Sequence, residues 1–546
     1  MRGLMMDMPL LVSNFIQYAA DYHGDVELVA REIDESIFRY NYRDAHVRAK
    51  KLAQALERLG VKQGERVGSL AWNTHRHFEM FYGVPGMGGV LHTINPRLFQ
   101  EQLVYIINHC EDKWLFCDLA TLPVLEAFVD QLTTVEGFCI LAHEKDMPAE
   151  TKLQNVHCYE TLLAAEDGDY EWPEFDENSA STICYTSGTT GNPKGVVYSH
   201  RAAFLQTLSG NASDFMGGYV HGAAEVMMPM SPMFHGNAWN FPFSAPARGA
   251  KLVFPGRSYE PDKLVELLVD EDVTVTCGVP TFWLILLDYL KKTGKTLPKL
   301  QASLSSGTAP PRWMVETMLN DYGVELINTW GMTEALGGSK GSLRPGDGEL
   351  PPQERTDKLM KSGRGLVGIR HRIIDDDGNV LPWDGEAQGN LQIKGAWITS
   401  AYFKNEGGAA TDKDGWLNTG DVAVIEPDGY LTLKDRSKDV IKSGGEWISS
   451  QEIENIAVGH AGIAQAAVIG VAHPKWQERP LLVCTKQPDA EIDRDEMLSF
   501  LDGKIAKWWM PDDVQFVNDI PLTATGKVHK LRIRKMFEEY KLPELS

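Results

Sequence analysis

These 546 residues predict an α/β protein with a smaller α+β unit towards the C-terminal end. Three observations carry that expectation. Helix-like and strand-like segments alternate over residues 45–280. Short runs divided by Gly and Asp then fill 385–435 and read as antiparallel strands. The chain is also too long for one compact core, so at least two domains are expected.

The elements follow in order. Residues 45–59 carry apolar side chains at helical spacing and stop at Gly60, and 65–72 read as a short buried strand. The pair recurs as a helix over 99–108 and a strand over 114–117. It recurs again as KLVELLVDED followed by a strand within 273–280. Such alternation favours layers built on largely parallel sheets. GNLQIKG and GYLTLKDR belong to the antiparallel region. The last unit is expected to hold helices over 450–458 and 494–508, with strands over 464–472 and 481–487. Its boundary falls near residues 436–438, although no Pro/Ser-rich linker marks it.

The formal charge is −22, from 75 acidic against 53 basic residues. A nucleic acid or an anionic membrane surface needs basic protein surface, so neither is expected as a partner. Seven cysteines are scattered without close metal-type pairs, which suits free thiols in a reducing compartment. The first residues are interrupted by Asp7 and Pro9 and read as mature protein rather than a signal peptide. The longest apolar stretch, 282–290, is far shorter than the roughly 20 residues of a membrane span. A cytoplasmic protein is the expectation.

The densest local signal is YTSGTTGNPKG at 185–195, flanked by expected strands over 181–185 and 195–198. Glycines let backbone N–H groups converge on an anion, and hydroxyls add donors. Thr186, Ser187, Thr189 and Thr190 supply those hydroxyls, Gly188 the freedom, and Lys194 a point charge. The loop suits a polyphosphate. It is not a Walker A loop, because Gly195 rather than Ser or Thr follows Lys194.

This loop resembles the signature of the adenylate-forming superfamily, which includes acyl-CoA synthetases, peptide-synthetase adenylation domains and beetle luciferases. Four further stretches resemble that superfamily's motifs in its order: WGMTE at 330–334, WLNTGD at 416–421, DRSKDVIKSGGEWIS at 435–449 and PLTATGK at 521–527. Together they extend the likeness over essentially the whole chain. The resemblance implies a large N-terminal domain of stacked α/β sheets with a β-barrel-like subdomain, residues 1–436. A small mobile α+β domain, residues 437–546, completes it.

It also implies residue roles. Lys527, Glu334 and His235 are the expected catalytic residues, with Glu334 holding Mg²⁺. Besides the loop, Trp330, Gly331, Met332, Thr333, Asp421 and Arg436 would bind ATP or AMP. In the family the position of Trp330 is more often Tyr. His235, Trp239, Gly307 and Thr308 would border the acyl group. Lys438 would be the hinge, and Gly444, Gly445, Glu446 and Trp447 would line a channel for coenzyme A. The implied activity is an acid–CoA ligase using ATP, Mg²⁺ and CoA through an acyl-adenylate. The overall look is most similar to bacterial 3-methylmercaptopropionate–CoA ligases and medium-chain fatty acid–CoA ligases. An adenylation enzyme serving a carrier protein is the alternative, and a homodimer is possible. About twenty residues follow Lys527 and hold no carrier domain, so free CoA is the expected acceptor.

Overall fold

The computed structural model describes residues 1, 3–186, 192–212, 225–341, 343, 346–444, 446–488, 490–523 and 527–543. It is a mixed α/β protein with a large N-terminal sheet domain and a smaller C-terminal one.

Two stacked sheets form the large part. The first has seven strands, in the order Val156–Cys158, Gly137–Ile140, Asp112–Cys117, Arg66–Leu70, Val90–Thr93, Ala180–Tyr185 and Gly195–Ser199. All its pairs are parallel except the last, an antiparallel hairpin whose connection is the phosphate-type loop. The second sheet has nine strands and a parallel centre running from Glu325–Trp330 through Ala302–Ser305, Val275–Gly278, Val226–Pro229 and Lys251–Phe254 to Glu27–Arg31.

The helix His75–Gly86 joins these sheets, and every one of its residues is buried. A helix buried all round must satisfy its polar groups internally. Arg76 pairs with Glu32 at 2.8 Å and Glu160 at 2.7 Å. Glu79 accepts from Arg48 at 2.8 Å and from the Tyr159 hydroxyl at 2.7 Å. The same helix presents Phe78, Phe81 and Tyr82 to one core shared by both sheets.

A four-stranded antiparallel sheet follows, ordered Ile369–Ile374, Gly389–Gly395, Leu417–Ile425 and Leu431–Arg436. Its core includes Trp330 and Ala335 from the end of the second large sheet, which fixes the two units together. The last sheet is built from Ile441–Ser443, Glu446–Ile448, Ile463–His473, Gln477–Lys486 and Asp513–Phe516, with helices Ser450–Ala457 and Arg494–Leu501 against it.

One expectation needs correction. The helix expected over 494–508 ends at Leu501, where the chain turns through Asp502 and Gly503, whose φ is +74°. A separate short turn, Lys507–Trp509, completes the span. The segment 230–242 contains no strand. The strand stops at Pro229, and helix Phe241–Arg248 begins after a left-handed turn. All seven cysteines are buried and free. Among the described residues no helix is long and apolar enough to cross a membrane.

Candidate active site

Parallel sheets bind ligands beyond the carboxyl ends of their strands. Here the strands ending at Tyr185, Pro229, Gly278, Ser305 and Trp330 all open onto one cleft of about 1130 Å³. Thr186, Lys194, His235, Trp239, Gly307, Thr308, Trp330, Gly331, Met332, Thr333, Glu334, Arg436, Lys438 and Lys527 all line it.

The phosphate-type loop is closed at its neck. The Thr186 N–H donates to the Lys194 carbonyl at 2.9 Å, and the Lys194 N–H donates to Thr186 Oγ1 at 3.1 Å. Ser187, Gly188, Thr189 and Thr190 lie outside the described residues. The Lys194 ammonium stands 4.8 Å from the centre of the Tyr402 ring. The Tyr402 hydroxyl in turn donates to Glu334 Oε1 at 2.8 Å. Thus one tyrosine ties the loop's lysine to the carboxylate expected to hold the metal. A lone Tyr in a loop has no sequence signal, and Tyr402 was missed for that reason. Tyr198 plays a similar part, donating to the Thr333 carbonyl at 2.6 Å.

Asp421 and Arg436 are brought together by sheet register. They are direct cross-strand partners in the Leu417–Ile425 and Leu431–Arg436 pair. Arg436 Nε lies 3.0 Å from Asp421 Oδ1, and Trp330 Nε1 donates to Asp421 Oδ2 at 2.9 Å. Burial pushes the Asp421 carboxyl up, against the pull of Arg436, Trp330 and Lys527. The indole is packed tightly: a Cβ on Gly338 would overlap Trp330 Cζ3.

Lys527 reaches this centre from the C-terminal unit. Its Cε would be 3.3 Å and its Nζ 3.8 Å from a Cβ placed on Gly307, which has φ +93° and so suits glycine twice over. Burial, then the Arg436 guanidinium, push the Lys527 ammonium down to about 8, while Asp421 acts in the opposite sense. His235 is pushed down to about 4, by burial first and the Lys527 charge second. It is therefore neutral at pH 7 and can offer a hydrogen bond but no charge.

Beside His235, residues 236–240 form a full left-handed turn, with φ from 49° to 71°. Each non-Gly residue in such a turn costs roughly 1–2 kcal/mol. Asn237 holds it to the first sheet by donating to Thr182 Oγ1 at 3.1 Å, and Asn240 donates to Thr207 Oγ1 at 2.6 Å. The turn places Trp239 on the cleft wall with Phe234, Val279, Phe282 and Leu304, an apolar lining next to the polar centre.

Gly444 and Trp447 are not part of this cleft. A Cβ on Gly444 would stand 3.0 Å from the Trp476 ring, and Lys442 lies over the Trp447 ring at 5.4 Å. Gly445 lies outside the described residues, as does the side chain of Glu446. Lys527 and this hairpin therefore occupy different places in the arrangement described.

Known proteins resemble the chain over its whole length. The family model described as AMP-binding enzyme matches residues 15–403, and the AMP-binding enzyme C-terminal domain matches 452–527. The chain is 47% identical over 541 residues to 3-methylmercaptopropionyl-CoA ligase of Ruegeria lacuscaerulensis, covering 99% of each chain. It is 41% identical to medium-chain-fatty-acid–CoA ligase of Ectopseudomonas oleovorans, covering 100% of this chain and 99% of that one. Its fold matches the crystal structure of the anthranilate CoA ligase AuaEII in complex with anthranoyl-AMP, with a TM-score of 0.85, 23% identity and 98% of each chain covered. With two family models spanning most of its length and full-length relatives at this identity, the chain belongs to the AMP-binding enzyme family.

Proposed function

We propose that this AMP-binding enzyme is an acid–CoA ligase: it joins a short or medium carboxylic acid to coenzyme A through an acyl-adenylate. The observation that carries this reading is the convergence of Lys527, Gly307, Glu334 and Arg436, the last paired with Asp421 behind it, on one cleft beside an apolar wall.

A carboxylate is a poor acyl donor, since its leaving group would be an oxide ion. In the first step its oxygen attacks the α-phosphorus of ATP. An O–P bond forms, the bond to the β-phosphate oxygen breaks, and pyrophosphate leaves. Such a step needs positioning and charge neutralisation rather than covalent help. The loop from Thr186 to Lys194 would cradle the phosphates, with Thr333 at the α-phosphate. Trp330 would border the adenine, flanked by Gly331 and Met332, while Asp421 and Arg436 take the ribose hydroxyls. Lys527 would neutralise charge where the acid meets phosphorus. Losing one preorganised donor of this kind costs on the order of 10²–10³ in rate. Mg²⁺ binds oxygen and is commonly shared between one carboxylate and substrate phosphates, which the buried carboxylate of Glu334 fits. When bound it would supply further charge neutralisation.

In the second step the CoA thiol attacks the acyl carbon: the C–S bond forms, the bond from that carbon to the AMP phosphate oxygen breaks, AMP leaves, and the thiol proton passes to solvent. Lys527 occupies the cleft in the arrangement described, and the Gly444 hairpin lies outside it. Rotation of the C-terminal unit about Lys438 would exchange them, bringing Gly444, Gly445, Glu446 and Trp447 to the pantetheine arm. The domain boundary would then lie at 436/437.

For the acid we favour 3-methylmercaptopropionate, supported by the relative at 47% identity. A polarisable indole at Trp239 suits a short thioether chain. Medium-chain fatty acids are the second reading, supported by the relative at 41%. Seven buried thiols suit a reducing, cytoplasmic setting. A panel of short and medium acids, read by pyrophosphate release with and without CoA, tests this proposal. Turnover of 3-methylmercaptopropionate above the fatty acids is expected, and release that ignores the acid supplied would refute it.

A further inference from the structure

The C-terminal unit is held onto the large domain by a polar contact that the mechanism above does not use. Helix Ser450–Ala457 points its first turn at the strand Leu431–Arg436. Asp435 Oδ2 accepts from the Ser450 N–H at 2.6 Å and from the Ser450 hydroxyl at 2.5 Å. Ser449, which caps the helix by accepting from the Glu452 N–H at 3.1 Å, donates its hydroxyl to the Lys434 carbonyl at 2.5 Å. A carboxylate at a helix N-terminus is favoured by the free N–H groups and the helix dipole together.

Lys530 joins the same contact. Its ammonium donates to Ser450 Oγ at 2.5 Å and pairs with Glu454 Oε1 at 2.7 Å. Ser450 Oγ is therefore a relay, donating to Asp435 and accepting from Lys530. Asp435 and Ser450 are buried, while Lys530 and Glu454 keep little exposure. Lys530 is the first residue of helix Lys530–Met536 and follows Lys527 by three positions, a span of at most about 10 Å of chain. Whatever fixes Lys530 limits where the Lys527 ammonium can stand.

We propose that Asp435, Ser450 and Lys530 form a latch that holds Lys527 in the cleft for adenylate formation and opens for thioester formation. The proposal rests on the ligase reading and on rotation about Lys438. Asp435 lies three residues before that residue, whereas Ser450, Glu454 and Lys530 all lie after it. Rotation there must part Asp435 from Ser450. The Lys530–Glu454 pair lies wholly within the C-terminal unit and travels intact. Opening thus leaves no buried ammonium unpaired, while Asp435, the Lys434 carbonyl and the Ser449 and Ser450 donors exchange their partners for water. A contact of that design is strong enough to bias one arrangement and weak enough to reverse each turnover. Lys530 is a positioning residue in this scheme, acting through Lys527.

The test uses the full chain and measures two rates: acid-dependent ATP–pyrophosphate exchange, and CoA acylation from supplied acyl-AMP. Asp435→Asn and Lys530→Met should lower exchange by about tenfold while acylation holds or rises, since the arrangement is shifted rather than the chemistry removed. Lys530→Arg, which keeps the charge, should restore exchange. Ser450→Ala removes one hydroxyl and should bias the rates in the same direction with an unchanged circular-dichroism spectrum, so the test holds even if Lys530→Met misfolds. Variants that lose both rates equally, or that change only KM for CoA, overturn the latch while leaving the ligase intact. A wild-type chain without acid-dependent exchange overturns the ligase reading and the latch with it.

Discussion

Trp330 and Asp421 are joined by a 2.9 Å hydrogen bond from the indole N–H to the carboxylate, linking two motifs separated by almost a hundred residues. A tyrosine at this position would have no donor at the indole nitrogen's place. The indole thus fixes the carboxylate expected to bind ribose, with Arg436 on its other oxygen. Trp330→Phe keeps an aromatic face and removes the donor. A hydrogen bond to a charged group is worth about 1.5–3 kcal/mol, so ATP affinity should fall by roughly tenfold or more. Isothermal titration with ATP reads it directly, and unchanged affinity would show that Arg436 alone holds Asp421.

Gly338 has no room for a side chain against that indole. Gly338→Ala must displace Trp330 or the backbone, at a cost of about 1–3 kcal/mol for overpacking. A lower thermal midpoint together with weaker ATP binding is expected. An unchanged midpoint would mean that the ring moves freely.

Lys527 sets a pH limb. Its ammonium is pushed down to about 8, so the charge is present below that pH and lost above it. Since the positive charge is what adenylation needs, kcat/KM for acid-dependent ATP–pyrophosphate exchange should be full near pH 7 and fall as pH rises through about 8. Lys527→Arg keeps its proton across this range and should abolish the fall, at a lower plateau. A wild-type profile that stays level through this region would contradict the assignment.

Trp239 lines the apolar wall of the cleft from a strained turn. Trp239→Ala should lengthen the pocket and move the preference towards longer acids, with kcat/KM for the shortest acids falling by on the order of tenfold. An acid panel that keeps its order would make Trp239 a packing residue only.

How much of this is legible in the sequence depends on whether function is written in local backbone shape. The phosphate-type loop, the WGMTE turn and the Gly-rich hairpin each need particular residues at fixed spacing, so they can be read as strings. The meeting of Asp421 and Arg436 cannot be read that way. It depends on strand register, and a bulge between Val422 and Ala423 shifts that register. The helix His75–Gly86 is another case. Buried on every side, it has no polar face, and its His, Arg and Glu residues give no amphipathic period. Tyr402 and Lys530 act through partners distant in sequence, and a single Tyr or Lys carries no pattern. The left-handed turn at 236–240 is marked only by Gly236 and two asparagines, residues that tolerate positive φ.

The central claim is that Lys527 serves adenylate formation and not thioester formation. Measuring both half-reactions of Lys527→Ala tests it most directly. Acid-dependent ATP–pyrophosphate exchange should fall by on the order of 10²–10³, while acylation of CoA from supplied acyl-AMP stays near the wild-type rate. Equal loss of the two rates would contradict the account.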